Sequence, residues 1–172
     1  MTSTRATRRR ASANGGPPAA RSVPSERTLR LVAAGLAVLG VGVAIYITIA
    51  DAGGGAPQCL AGGHGCATVA NSHYSHVAGI NVAVFGVVGY VLLLGAALTP
   101  GDLGRFGGFM GALIGFGFSA YLTYLELFVI DAICQWCVAS AVIMTVLLGA
   151  NAARAFAYAG AELATPGEGG TA

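Results

Sequence analysis

The stretch Cys134-Gln135-Trp136-Cys137-Val138-Ala139-Ser140-Ala141-Val142-Ile143 decides how the chain is read, because two thiols stand at the head of an apolar run. A pair of cysteines separated by two residues suits either a redox-active disulfide or half of a zinc site. The residues after the pair separate the two. The run continues without a charged residue to position 153, which meets the length of about 20 mostly apolar residues that a bilayer-crossing helix needs. Thiols at the mouth of such a helix can pass electrons between water and a molecule dissolved in lipid.

Composition supports a membrane setting. Hydrophobic residues make up 55% of the 172 and charged residues 9%, with a mean hydropathy of +0.72, whereas a soluble domain carries about 25% charged residues. Residues 31–50, 77–98, 106–130 and 134–153 are each apolar and long enough to span. The expected fold is an all-α membrane protein: a four-transmembrane-helix bundle with an outer loop and a short surface helix between helices one and two. All nine basic residues are arginines, at Arg5, Arg8, Arg9, Arg10, Arg21, Arg27, Arg30, Arg105 and Arg154. They precede helix one, join helices two and three, or end helix four, and the positive-inside rule makes those segments and both termini cytoplasmic. The loop at 51–76 and the junction at 131–133 carry no base and are expected outside, with all four cysteines on that half of the chain. Disulfides persist in such oxidising compartments.

Residues 1–28 read as a disordered, arginine-rich cytoplasmic tail, residues 29–155 as the membrane domain and residues 156–172 as a second cytoplasmic tail. Gly53-Gly54-Gly55 and Pro57 break helix one and lead flexibly into Cys59 and Cys66. Residues 67–76 are expected to form a short helix at the membrane surface. Gly107, Gly111 and Gly115, with Gly79, Gly86, Gly89 and Gly95 of helix two, read as close-packing positions between helices. Asp131 is the expected N-cap of helix four. That cap would set Cys134 in the first turn, near water and where the helix dipole favours a thiolate, with Cys137 one turn deeper on the same face. Two dithiols on one side imply a relay by thiol–disulfide exchange. Glu126, about a turn inside the outer end of helix three, either relays the protons of such chemistry or is solvated at the interface. Trp136 reads as an interfacial anchor that could also shield the thiols.

These features resemble the vitamin K epoxide reductase family, in particular its bacterial members. Cys66, Val69, Ser72, Tyr74, Gly79-Ile80, Val82-Ala83, Gly86 and Tyr90 carry the likeness. Tyr121-Leu122, Tyr124-Leu125, Cys134-Gln135-Trp136-Cys137-Val138 and Ser140-Ala141 complete it. The resemblance implies a four-helix bundle around a quinone, of menaquinone or ubiquinone type, whose reduction is coupled to oxidation of a thioredoxin-like protein. It makes Cys59 and Cys66 the shuttle pair, Cys134 the residue that exchanges with Cys66, and Cys137 the sulfur facing the quinone. Bacterial members often carry a fused thioredoxin-like domain. This sequence shows none, so a separate extracytoplasmic partner is expected. Asn81 stands where the family usually has proline, and Ala141 where animal members have a tyrosine near the quinone.

The expected function is therefore a quinone-dependent membrane thiol oxidoreductase with catalytic Cys59, Cys66, Cys134 and Cys137, contacting lipid and supporting disulfide formation outside the cytoplasm. Neither a metal nor a nucleic-acid partner is expected. The alternative is a metal-binding or scaffolding membrane protein that uses the outer cysteines with His64, His73 and His76, since imidazole and thiolate both suit zinc and copper. A competing four-helix, quinone-coupled family carries its two-thiol motif in the first outer loop, whereas here it heads the last helix.

Overall fold

In a hydrocarbon solvent every backbone amide must be satisfied within its own segment, and the apolar runs of this chain accordingly form long helices. The computed structural model describes residues 25–60 and 62–164, with side chains up to 157. Its order is α1 (Glu26–Ala52), α2 (Gly65–Ala70), a 3-10 turn (His73–Ser75), β1 (His76–Val77), β2 (Ile80–Asn81), α3 (Val82–Leu98), α4 (Asp102–Phe128) and α5 (Gln135–Ala164). The four long helices close into a ring in which α1 lies between α3 and α5, and α4 packs against the same two. Three of them, α1, α4 and residues Gln135–Ala157 of α5, are long and apolar enough to cross a membrane, and α3 is a shorter apolar helix.

Lipid tails are as apolar as leucine, so helices in a membrane associate through close packing of small residues. Ala33, Ala37, Gly40 and Ala44 form such a face on α1, and all four are buried. The Tyr90 ring lies flush on Gly40, in space that a β-carbon would occupy. On α4 the buried register is Gly104, Gly108 and Ala112, shifted from the expected Gly107, Gly111 and Gly115. Gly107 faces open space, while Gly111 and Gly115 do touch Leu93 and Met144. In α3 the ring of Tyr90 does much of the packing; of the glycines expected there, Gly86 meets Ala44 and Gly89 and Gly95 meet nothing. Large apolar side chains such as Leu39, Leu92, Ile114 and Val142, one from each long helix, point outward.

Several boundaries differ from expectation. Ser25 caps α1, accepting from Thr28 N at 3.3 Å, so positions 26–28 are helical and residues 1–24 lie outside the described residues. At the other end α5 runs on to Ala164, through much of the expected second tail, and residues 165–172 lie outside the description. Positions 77–81 leave the expected second helix for a hairpin that pairs His76 with Asn81 and Val77 with Ile80. Ala78 and Gly79 both have positive φ there (52° and 81°), the geometry of a two-residue turn that matches strand twist. Asn81 then caps α3 by accepting from Ala83 N at 2.7 Å. An asparagine side chain does this and a proline cannot, which gives the departure at this position a structural role. The expected surface helix over 67–76 is instead α2 followed by the 3-10 turn.

At one end of the bundle Arg30 donates to the carbonyls of Ala97 (3.0 Å) and Leu98 (2.8 Å), capping the C-terminus of α3. Arg105 pairs with Glu26 and Asp102, and Arg154 bonds Asn151. The cysteines lie at the opposite end.

Candidate active site

The reversal between α4 and α5 sets the motif thiols. Val129 and Ile130 both donate to Leu125 O, and Ala132 donates to Glu126 O, which tightens the chain as it leaves α4. Asp131 sits in this reversal with φ of 53° and is exposed. It is therefore not the N-cap: aspartate tolerates the left-handed conformation, and the turn uses it for that. Helix α5 starts at Gln135, leaving Cys134 immediately before it, with Cys134 O accepting from Val138 N at 3.0 Å. The amide of Cys134 is held by Glu126 Oε2 at 3.0 Å. Cys134 and Cys137 still stand one turn apart on one face, both as free thiols, Cys134 buried and Cys137 half-buried.

The loop pair is brought to them from the other side. Cys59 and Cys66 are joined by a disulfide, with Cα atoms 5.7 Å apart. The stretch is pinned at both ends, in contrast to the freely swinging loop its glycines predict. Trp136 Nε1 donates to Gln58 O at 2.9 Å, Gln58 N donates to the Tyr46 hydroxyl at 3.2 Å, and the Tyr46 and Trp136 rings lie 4.9 Å apart. Trp136 is thus a clamp on the residue before Cys59 rather than only an interfacial anchor. At the far end Gly65 opens α2 against the carbonyl of Ile133, with no room for a β-carbon. The residue after Gly65 and the residue after Ile133 are the two buried cysteines, Cys66 at 1% exposure and Cys134 at 2%. Cys59 is half-buried and so the more accessible of its pair.

Cys66, Cys134 and Cys137 all line one cavity of about 170 Å³ inside the helix ring. Its walls are largely apolar, including Val82, Phe85, Phe118, Leu122 and Met144, with Asn81, Ser140, Tyr90 and Glu126 as polar points. Tyr90 is fixed by its hydroxyl, which donates to Ser140 O at 3.0 Å and lies 2.8 Å from Ser140 Oγ. Two of the outer histidines are engaged elsewhere: His76 pairs with Asp51 at 3.2 Å and Ser75 at 2.8 Å, and His73 packs on Tyr74. Among the described residues no three His, Cys, Asp or Glu side chains converge as metal ligands. Nothing in the sequence points to the backbone of Gln58 or to Tyr46 as site groups, and Ser140 enters there only through the family resemblance. Their partners lie 78, 12 and 50 residues away, beyond any local pattern.

A disulfide and a free dithiol meeting at one apolar cavity within a bundle of membrane-length helices is the arrangement of a membrane thiol oxidoreductase. The chain belongs to the vitamin K epoxide reductase family, whose model matches residues 31–152. No curated protein shows significant similarity to the chain.

Proposed function

We propose that this protein passes electrons from a reduced, separate thioredoxin-like partner through Cys59 and Cys66 to Cys134 and Cys137 and on to a quinone, supporting disulfide formation outside the cytoplasm. The observation that carries the reading is the single cavity onto which Cys66, Cys134 and Cys137 all open. Half-buried Cys59 offers the sulfur for the partner's attack. Once the loop pair is reduced, the Cys66 thiolate attacks Cys134 Sγ of a Cys134–Cys137 disulfide; the Cys66–Cys134 bond forms and the electron pair leaves on Cys137. Attack by Cys59 on Cys66 then restores the loop disulfide. Cys134 and Cys137 remain as thiols, the bonding state present in the structure.

The cavity suits a quinone ring, its walls being largely apolar with a few polar points. Cys137 would face the ring, with Ser140 and Asn81 among the polar groups near it. A quinone held there supplies a two-electron, two-proton acceptor. The protein's contribution is to place the reduced thiols beside it and exclude bulk water.

The same reading makes α1, α3, α4 and α5 four membrane spans, α3 at 17 residues lying at the short end of the spanning range of about 17 to 25. With Arg30, Arg105 and Arg154 clustered at one end, that end is cytoplasmic and the cysteines face out. This orientation has a direct check. With the four native cysteines replaced by alanine, a membrane-impermeant thiol reagent in intact cells should label Gly55→Cys and leave Pro100→Cys unlabelled until the membrane is opened. Both are exposed positions at opposite ends of the bundle. Labelling of Pro100→Cys alone would overturn the proposed orientation and its link to an oxidising compartment. Quinone extracted from the purified protein would support the electron path; stoichiometric zinc in its place would favour the metal-binding reading.

A further inference from the structure

Glu126 is a carboxyl buried to 3% exposure, on the wall of the cavity that both motif cysteines also line. Its Oε2 holds the amide of Cys134 at 3.0 Å, and Cys137 lines the same cavity. Among the described residues no cationic side chain lines the cavity, so nothing there pairs with the carboxyl as a salt bridge. The other titratable groups on the wall are Asp51 from α1, Tyr74 from the 3-10 turn, Tyr90 from α3 and the cysteines themselves. Asp51 is engaged by His76, Tyr90 is held by Ser140, and Tyr74 is exposed at the outer rim. Among the described residues that line this wall, Glu126 is thus the one oxygen acid hydrogen-bonded to a residue of the two-thiol motif. A buried carboxyl in a membrane helix is costly and marks function by default.

We propose that Glu126 is the catalytic acid and base of the Cys134–Cys137 pair, an assignment that rests on the relay proposed above. When the Cys66 thiolate attacks Cys134, the Cys134–Cys137 bond breaks and its electron pair goes to Cys137 Sγ. The Glu126 carboxyl gives its proton to that sulfur, leaving Cys137 a thiol and Glu126 a carboxylate. In the reverse direction the carboxylate takes the Cys137 proton as the sulfur attacks. The Cys66 proton has by then gone to the aqueous face, so one proton and one electron pair are accounted for at each sulfur. Without such a donor, the charge freed on Cys137 would sit in an apolar cavity and re-attack Cys134.

The test uses the full chain in lipid nanodiscs, oxidised at both pairs. Dithiothreitol reduces the loop disulfide by attack at half-buried Cys59, and acid quenching with peptide mapping follows reduction of Cys134–Cys137, so no quinone turnover is needed. Glu126→Gln keeps the shape and the acceptor for Cys134 N but cannot transfer the proton. It is expected to slow the transfer about 100-fold, within the range of general acid catalysis, and to abolish the fall of the wild-type rate at high pH. Glu126→Asp, which keeps the acid, should recover part of the rate and the falling limb. A Gln variant matching wild type in rate and pH profile, or an Asp variant no faster than Gln, would reduce Glu126 to a cap for Cys134 and overturn the assignment. Cys66→Ala separates the two readings: if it blocks transfer the relay stands whatever Glu126 does, and if transfer continues unchanged both fall.

Discussion

Replacing Cys59 and Cys137 together by alanine is expected to leave a Cys66–Cys134 disulfide as the main oxidised species, with loss of turnover. Each replaced thiol is the one that resolves this bond, Cys59 by attack on Cys66 and Cys137 by attack on Cys134. With both gone, nothing in the chain can undo it under mild oxidation. The two remaining cysteines open on one cavity, with α2 packed on the start of α5. Peptide mapping without reductant would show the bond. Recovery of Cys66 and Cys134 as free thiols under those conditions would mean the pairs do not exchange, and the relay would be wrong.

The second large effect comes from a residue with no chemistry of its own. A β-carbon at Gly65 would overlap the carbonyl oxygen of Ile133, and because the obstacle is backbone it cannot rotate away. Gly65→Val should therefore push α2 off the start of α5 and carry Cys66 away from Cys134. Misplacement of reacting groups by about 1 Å can cost about 100-fold in rate, and a loss of that order is expected in the transfer from the loop pair to the Cys134–Cys137 pair. Reduction of the loop disulfide by dithiothreitol should be little changed. Gly63→Val is the control, since that position is exposed and has open space around it. If both variants transferred at the wild-type rate, the docking of α2 on the junction would have no part in exchange.

Much of this site is visible in the sequence because its chemistry is carried by rare residues in an apolar background. Four cysteines, arginines kept to segments away from them in the sequence, and apolar runs of spanning length point to helices with thiols at one end. Cys134, expected near water, is instead the more buried cysteine of its pair, because the chain reversal before α5 packs its neighbour Ile133 against Gly65, beside Cys66. The features that escaped were decided by contacts between distant segments. Asp131 looks like an N-cap in isolation, yet the chain reverses by bonding back to Leu125 and Glu126, and the carboxylate of Glu126 takes the amide of Cys134 instead. The hairpin at 76–81 hides inside a hydropathy window because Val77 and Ile80 are as apolar as the helix beyond them, and Ala78-Gly79 is a weaker turn signal than Asn-Gly. The packing face of α4 shifts by one residue from its regular glycine series because Gly108 must admit Asn151 from α5. Likewise the clamp of Trp136 on Gln58 turns an apparently loose loop into one fixed at its start.

Coupling between thiol oxidation and quinone reduction can be followed in one assay. The purified full-length protein in nanodiscs is mixed with a reduced thioredoxin-like protein and a water-accessible quinone, and quinol formation is followed by absorbance alongside the partner's free thiols. One quinone should be reduced for each partner dithiol oxidised, with turnover lost on alanine replacement of Cys59, Cys66, Cys134 or Cys137 singly. Partner oxidation without quinol formation, or quinol formation that survives loss of Cys137, would contradict that coupling.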